Sequence, residues 1–208
     1  MKHPLTHPFI TSKVKFPLTE RADDPLDLYQ HLPFQIAVVT NLLQLNKDAA
    51  IRKITDLEPR EFRVLLNVGS FMPIKAADIA YLGRLDSYTV SRAVKSLAKE
   101  KLINFELSEH NRKVKKLVLT DKGLEIYYRL CKAIKIRTLE LESVLSLNEK
   151  NELMRLLLLV ESKAEAMMAD HAKQEHSAGR VISADQKEII RWHKKSCTVP
   201  KYTPIKSR

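Results

Sequence analysis

The chain has 208 residues, a net charge of +11, 44% hydrophobic and 29% charged residues, and only 4 Gly and 9 Pro. This composition excludes a disordered or fibrous chain and fits one helix-rich core with additions. No apolar run is long enough to cross a bilayer, and the start MKHPLTHPFITSK lacks the apolar centre of a signal peptide, so a cytoplasmic protein with no membrane partner is expected.

In chain order, residues 1–24 carry prolines without a sustained helical period and read as an extended arm. From Pro25 to about Lys53, Leu28, Leu32, Ile36, Val39 and Leu43 recur at steps of three or four, a helix that Pro33 would kink or divide. Leu57, Phe62, Leu65, Leu66 and Val68 mark a shorter helix opened by Glu58-Pro59 and stopped at Gly69 and the GSFMP segment. Ile74 to Leu82 forms a small helix, Gly83-Arg84-Leu85 a tight turn, and Asp86 or Ser87 caps the next helix, giving a helix-turn-helix. INFEL (103–107) and VKKLVL (114–119) read as strands joined by a hairpin loop over residues 108–113. Thr120 or Asp121 caps a long helix through Leu141, and Asn148 opens another whose apolar stripe is wide enough to need a second partner helix. Val181 to Trp192 is a short amphipathic stretch that folds back on the body, with the last basic residues trailing toward DNA or solvent.

The charge is concentrated. Residues 92–116 hold eight Lys or Arg against three acids, residues 171–208 hold nine against three, and these two segments account for the whole excess. Two such patches indicate a polyanionic partner. On the helix from Ser87 to Lys101, Val90, Val94, Leu97 and the stem of Lys101 share one side, while Tyr88, Arg92, Lys95 and Lys99 line the other. Ser87, Thr89 and Ser91 near its first turn are short hydrogen-bonding residues suited to phosphates and base edges in a major groove. The hairpin tip, with His110, Asn111, Arg112 and Lys113, suits the duplex backbone or a minor groove, and the weakly hydrated guanidinium of Arg112 is the best single candidate for a narrow groove.

The runs LEPREFRVLLNV, AADIAYLGRLDSYTVSRAVKSLAKEKLI and NRKVKKLVLTDKG resemble the MarR family of bacterial transcriptional regulators over roughly residues 25–170, most specifically in TVSRAVKSL and LTDKG. The resemblance implies a mainly α fold: a winged helix-turn-helix with a two-stranded β-wing and a helical dimerisation region. It implies an N-terminal dimerisation helix over 25–56, a DNA-binding domain over 57–122 and C-terminal dimerisation helices over 123–170; the extended arm over 1–24 is read from the residues alone, and the basic extension over 171–208 has no place in the minimal family pattern. It further implies a homodimer on a palindromic operator in double-stranded DNA, acting mostly as a repressor, with a small molecule or an oxidant releasing the DNA. The recognition helix would be about Asp86 to Glu100 and the wing about Ile103 to Leu119. Two positions depart from the family pattern: Asn111-Arg112-Lys113 stands where Asp-x-Arg is usual, removing an Asp–Arg ion pair, and Lys101 stands where a glycine is common.

Cys131 and Cys197 lie too far apart in sequence for a CxxC site or a disulfide framework. Cys131 reads as a structural cysteine and Cys197 as an exposed one, and oxidation of either is an alternative entry for the signal. His171 and His176, five residues apart, do not share a helical face, so no metal site is expected there. With no nucleophile–base pair and no glycine-rich phosphate loop, neither an enzyme nor a cofactor is expected. A winged-helix protein–protein interaction module without sequence-specific DNA binding is the open alternative.

Overall fold

The structure, a computed structural model, describes residues 16–108 and 111–198, and at Ser108 and residues 111–114 the backbone alone. Eight helices and two strands follow in order: α1 (Leu32–Leu43), α2 (Ala49–Arg52), α3 (Pro59–Phe71), α4 (Ala76–Gly83), α5 (Ser87–Lys99), β1 (Ile103–Ser108), β2 (Asn111–Leu119), α6 (Asp121–Glu142), α7 (Leu147–Ser177) and α8 (Ala184–Thr198). A 3-10 turn, Leu45–Lys47, links α1 to α2. Mainly helical with one two-stranded antiparallel sheet, this is a winged helix-turn-helix architecture.

The core is the helix-turn-helix itself. Val90, Ala93, Val94 and Leu97 of α5 are buried against Phe62, Leu65 and Val68 of α3 and Ile79 of α4, and Leu102, Ile103, Leu117 and Leu130 close the cluster from the wing and α6. Burial of each large aliphatic side chain contributes about 1.5–3 kcal/mol before the entropy of ordering is subtracted. α3 starts on a capping box, Glu58 with Glu61, followed by Pro59 where a missing N–H costs nothing. Thr120 caps α6 and Ser146 caps α7, the latter in a second capping box with Glu149.

Several boundaries differ from those the sequence predicts, each for a local reason. Pro33 opens α1 rather than kinking a longer helix, because α1 begins at Leu32 and proline is tolerated in a first turn. Gly69 does not stop α3; the helix runs on to Phe71, and the glycine is needed because the ring of Tyr127 lies 2.4 Å from where a Cβ would be. Ile74 is not helical: its amide and carbonyl bond Leu117 at 3.2 and 2.7 Å, tying the wing to the loop before α4. The helix before residue 178 starts at Leu147, one residue earlier than Asn148. At the turn between α4 and α5 the left-handed residue is Arg84, φ 47°, not Gly83.

The wing hairpin is tighter than expected. Residues 108 and 111–113, read from sequence as loop, belong to the strands, which pair from Ile103↔Leu119 to Ser108↔Asn111 with an irregularity at Leu107/Ser108. Gly123 lets α6 leave the wing closely: a Cβ there would sit 2.0 Å from the carbonyl oxygen of Leu102, which accepts the amide of Thr120 at 3.1 Å. Lys101 lies beyond the end of α5, not on its apolar side, with φ 59°, so the position where glycine is common is left-handed here as well.

Two outcomes are expected from this geometry. Lys101→Gly removes a left-handed lysine while keeping the backbone carbonyl that accepts the Thr120 hydroxyl, and should raise stability in urea unfolding by about 1 kcal/mol. Asp86 caps α5 by accepting the Thr89 amide at 2.7 Å, and Thr89's side chain and amide hold its carboxyl below the usual range. Asp86→Ala should therefore cost about 1 kcal/mol at neutral pH. Because the folded pKa is depressed, the cap's contribution is present above the ordinary aspartate pKa of about 4 and is lost as pH falls through the folded value. Urea titrations across that window should show the deficit of the alanine variant shrinking with acidification.

Candidate nucleic-acid interface

α5 carries the sharpest division between apolar and polar sides. Its four buried residues, Val90, Ala93, Val94 and Leu97, point into the core, which leaves Tyr88, Ser91, Arg92, Lys95 and Lys99 exposed on the outside. Tyr88 is 71% exposed and the Arg92 guanidinium stacks over its ring at 5.6 Å, so arginine and tyrosine form one outward unit with a cation and a hydrogen-bonding hydroxyl. Such a unit matches what a major groove offers: acceptors on guanine, and phosphates alongside.

The structure separates the three short hydroxyl residues predicted at this helix start. Ser91 is exposed. Thr89 is engaged through its amide by the Asp86 cap. Ser87 donates both its amide, at 3.1 Å, and its hydroxyl to the carboxylate of Glu188 on α8. A carboxylate at the positive end of α5 satisfies amide groups that the helix leaves unpaired.

On the wing, Lys115 Nζ sits 5.8 Å over the Phe105 ring, and Lys116 is opposite Glu106. Phe105 and Leu107 are exposed on this hairpin. Asn111, Arg112 and Lys113 lie in β2 as backbone, their side chains outside what is described, and His110 falls outside the described residues altogether.

Sequence reasoning missed the polar network behind the helix-turn-helix. Glu165 and Glu188, 9% and 7% exposed, are the buried charged residues among those described, and both face the α4–α5 turn. Arg84 reaches Glu165 at 2.6 Å and Glu161 at 3.2 Å, donates to the Tyr81 carbonyl at 2.7 Å, and stacks over Tyr81 at 4.4 Å and Trp192 at 5.9 Å. Lys195 pairs with Asp78 at 2.6 Å, Tyr81 Oη meets Ser196 Oγ at 2.9 Å, and His193 lies 3.4 Å from Glu165. Burying carboxylates is tolerated only with such partners. The signal available in sequence was the amphipathic run 181–192, but nothing in it names the surface it covers. A hollow of about 420 Å³ remains between α7, α8 and the turn, lined among others by Arg84, Asp86, Glu161, Glu165, Ile189 and Trp192.

Of the two cysteines, Cys131 is half-buried and Cys197 exposed. Asp170 and Glu175, beside His171 and His176, pair with Lys173 and Arg180. No group of three His, Cys, Asp or Glu able to hold a metal occurs among the described residues, and no helix among them is long and apolar enough to cross a membrane.

The fold recurs in solved structures. A MarR/EmrR family transcriptional regulator from Acinetobacter sp. ADP1 is 24% identical, with a TM-score of 0.62 over 68% of this chain and 99% of that one. A protein described as a MarR family transcriptional regulator from Listeria monocytogenes, complexed with 26mer DNA, is 22% identical, with a TM-score of 0.59 over 74% and 99%. The PcaV transcriptional regulator from Streptomyces coelicolor, in complex with its natural ligand, is 20% identical, with a TM-score of 0.58 over 68% and 99%. No curated protein matches the chain. Residues 55–113 match the family model described as MarR family, the stretch that runs from before α3 into β2. The helix-turn-helix and the first part of the wing thus match the MarR family model, and the chain has the fold seen in transcriptional regulators of that family.

Proposed function

We propose that this chain is a homodimeric, sequence-specific DNA-binding regulator, acting mostly as a repressor by occupying promoter DNA. The observation that carries the reading is the outward side of α5, where Tyr88, Ser91, Arg92, Lys95 and Lys99 are exposed beside a wing rich in Lys and Arg. Tyr88, Arg92 and Lys95 with Ser91 read base edges, Ser87 and Thr89 flank the groove, and His110, Asn111, Arg112 and Lys113 at the wing reach the neighbouring backbone or minor groove. The Listeria protein's complex with DNA supports a duplex as partner.

Dimerisation is supported by the apolar surface that this fold leaves uncovered. α1 buries none of its residues, and Phe34, Val39 and Leu42 stand exposed, Leu42 at 74%. Leu153, Met154, Leu156, Leu157, Leu158 and Leu159 are exposed along α7. A patch of this extent on a soluble chain marks an interaction surface. A twofold dimer built through α1 and α7 would set the two recognition helices about 34 Å apart, one turn of DNA, and so read a palindrome.

A small effector has a place in the hollow between α7, α8 and Asp86, the cap of the recognition helix. The ligand held by the Streptomyces protein supports this class of control. Oxidation at Cys131 or Cys197 is the second route for the signal.

Selection of bound sequences from a random duplex library at near-physiological salt should recover one short palindrome. Arg92→Ala should then lose about 1 to 3 kcal/mol of specific binding and relax base preference at one position in each half-site. Equal weakening on selected and random DNA would reduce Arg92 to a phosphate contact, and purely unselective binding would turn the reading toward a protein-interaction module.

A further inference from the structure

The contacts of α8 divide its surface into three stripes. Glu188, Trp192 and Lys195, at steps of four and three, face the helix-turn-helix through Ser87, Arg84 and Asp78. His193 faces Glu165 of α7. At 100° per residue, His193 lies roughly 140° to one side of Glu188, whereas Lys187, Arg191 and Lys194 lie roughly 60° to 120° to the other. Those three are exposed, also at steps of four and three, and none forms an ion pair with a described residue.

Resting on the DNA-binding reading above, we propose that α8 is an additional DNA-backbone surface: Lys187, Arg191 and Lys194 contact duplex phosphates flanking the half-site read by α5. Three facts combine. The stripe is basic and unpaired, so it gains from a polyanion what it cannot gain within the chain. It lies on the flank of α8 away from α7, the helix whose exposed apolar side is assigned to the dimer. And α8 is anchored at the first residue of α5, because Ser87 donates twice to Glu188, so the stripe starts one residue from the anchor of the recognition helix. The anchor explains why a buried carboxylate is kept beside a DNA-reading element: Glu188 satisfies the helix start while holding the cations in register with it. Phosphate contacts of this kind add affinity and salt dependence but no base preference.

The test uses the full chain with Lys187, Arg191 and Lys194 all changed to Ala, its affinity measured against salt on the selected duplex and on random duplex. The log-log slope should fall by about 0.9 for each phosphate that the variant no longer neutralises, on both DNAs, with the selected sequence unchanged. A wild-type slope in the triple variant would overturn the proposal. Trp192→Ala supplies a charge-neutral check, because it loosens α8 without removing a cation. It should weaken binding and flatten the slope in the same direction; tighter binding would show that α8 obstructs DNA, and an unaltered slope would show that its docking is irrelevant, either of which overturns the placement. Failure of the wild-type chain to select any sequence would sink the regulator reading instead, while the slope on random duplex would still report on the α8 stripe.

Discussion

The outward face of the helix-turn-helix is set by what one side of α5 must bury. Val90, Ala93, Val94 and Leu97 fill the centre of the helix-turn-helix, and no other orientation of the helix removes all four from water. With 3.6 residues per turn, that burial aims Arg92, Lys95 and Tyr88 at solvent without any further instruction. The wing follows from the same core, because Ile103, Leu117 and Leu119 close it from below while Ile74 pins β2 to the loop before α4. α5 and the wing are therefore two edges of one packed body.

A second constraint is electrostatic. Arg84 occupies a left-handed position in the turn between α4 and α5, and its guanidinium points back at Glu161 and Glu165 of α7. The turn's own positive charge is thus paired within the protein, whereas Arg92, Lys95 and Lys99 of α5 and Lys187, Arg191 and Lys194 of α8 stand exposed. α8 completes the arrangement: His193 meets Glu165 of α7, Glu188 holds the start of α5, Lys195 pairs with Asp78 of α4, and Trp192 packs on Arg84 in the turn. α5 is consequently held at its first residue by a segment more than a hundred positions away in sequence.

Where sequence patterns rest on a local cause, they agree with the structure. The caps at Asp86 and Thr120, the proline in the first turn of α3, and the sidedness of α5 all depend on neighbours within a few residues. The disagreements cluster where a distant group intervenes. Gly69 reads as a helix stop but serves the Tyr127 ring, Ile74 reads as helical but pairs with Leu117, and Ser87 reads as an open hydroxyl but is bound by Glu188. Lys101 reads as part of the apolar side of a helix that in fact ends before it, because a left-handed residue has no signature in hydrophobic period.

Residue order alone determined the helix-turn-helix, the basic face of α5, the strands of the wing and the concentration of charge in two segments, since each follows from spacing and composition over short stretches; it did not show that residues 25–53 divide into α1, a 3-10 turn and α2. Only the tertiary structure decided which of the predicted polar residues stay open, because a hydroxyl's partner is chosen by packing. It also decided where α8 lies. An amphipathic helix states that one side is to be buried but not against what, and it took the meeting of Glu188 with Ser87, Lys195 with Asp78 and Trp192 with Arg84 to place its basic flank beside α5.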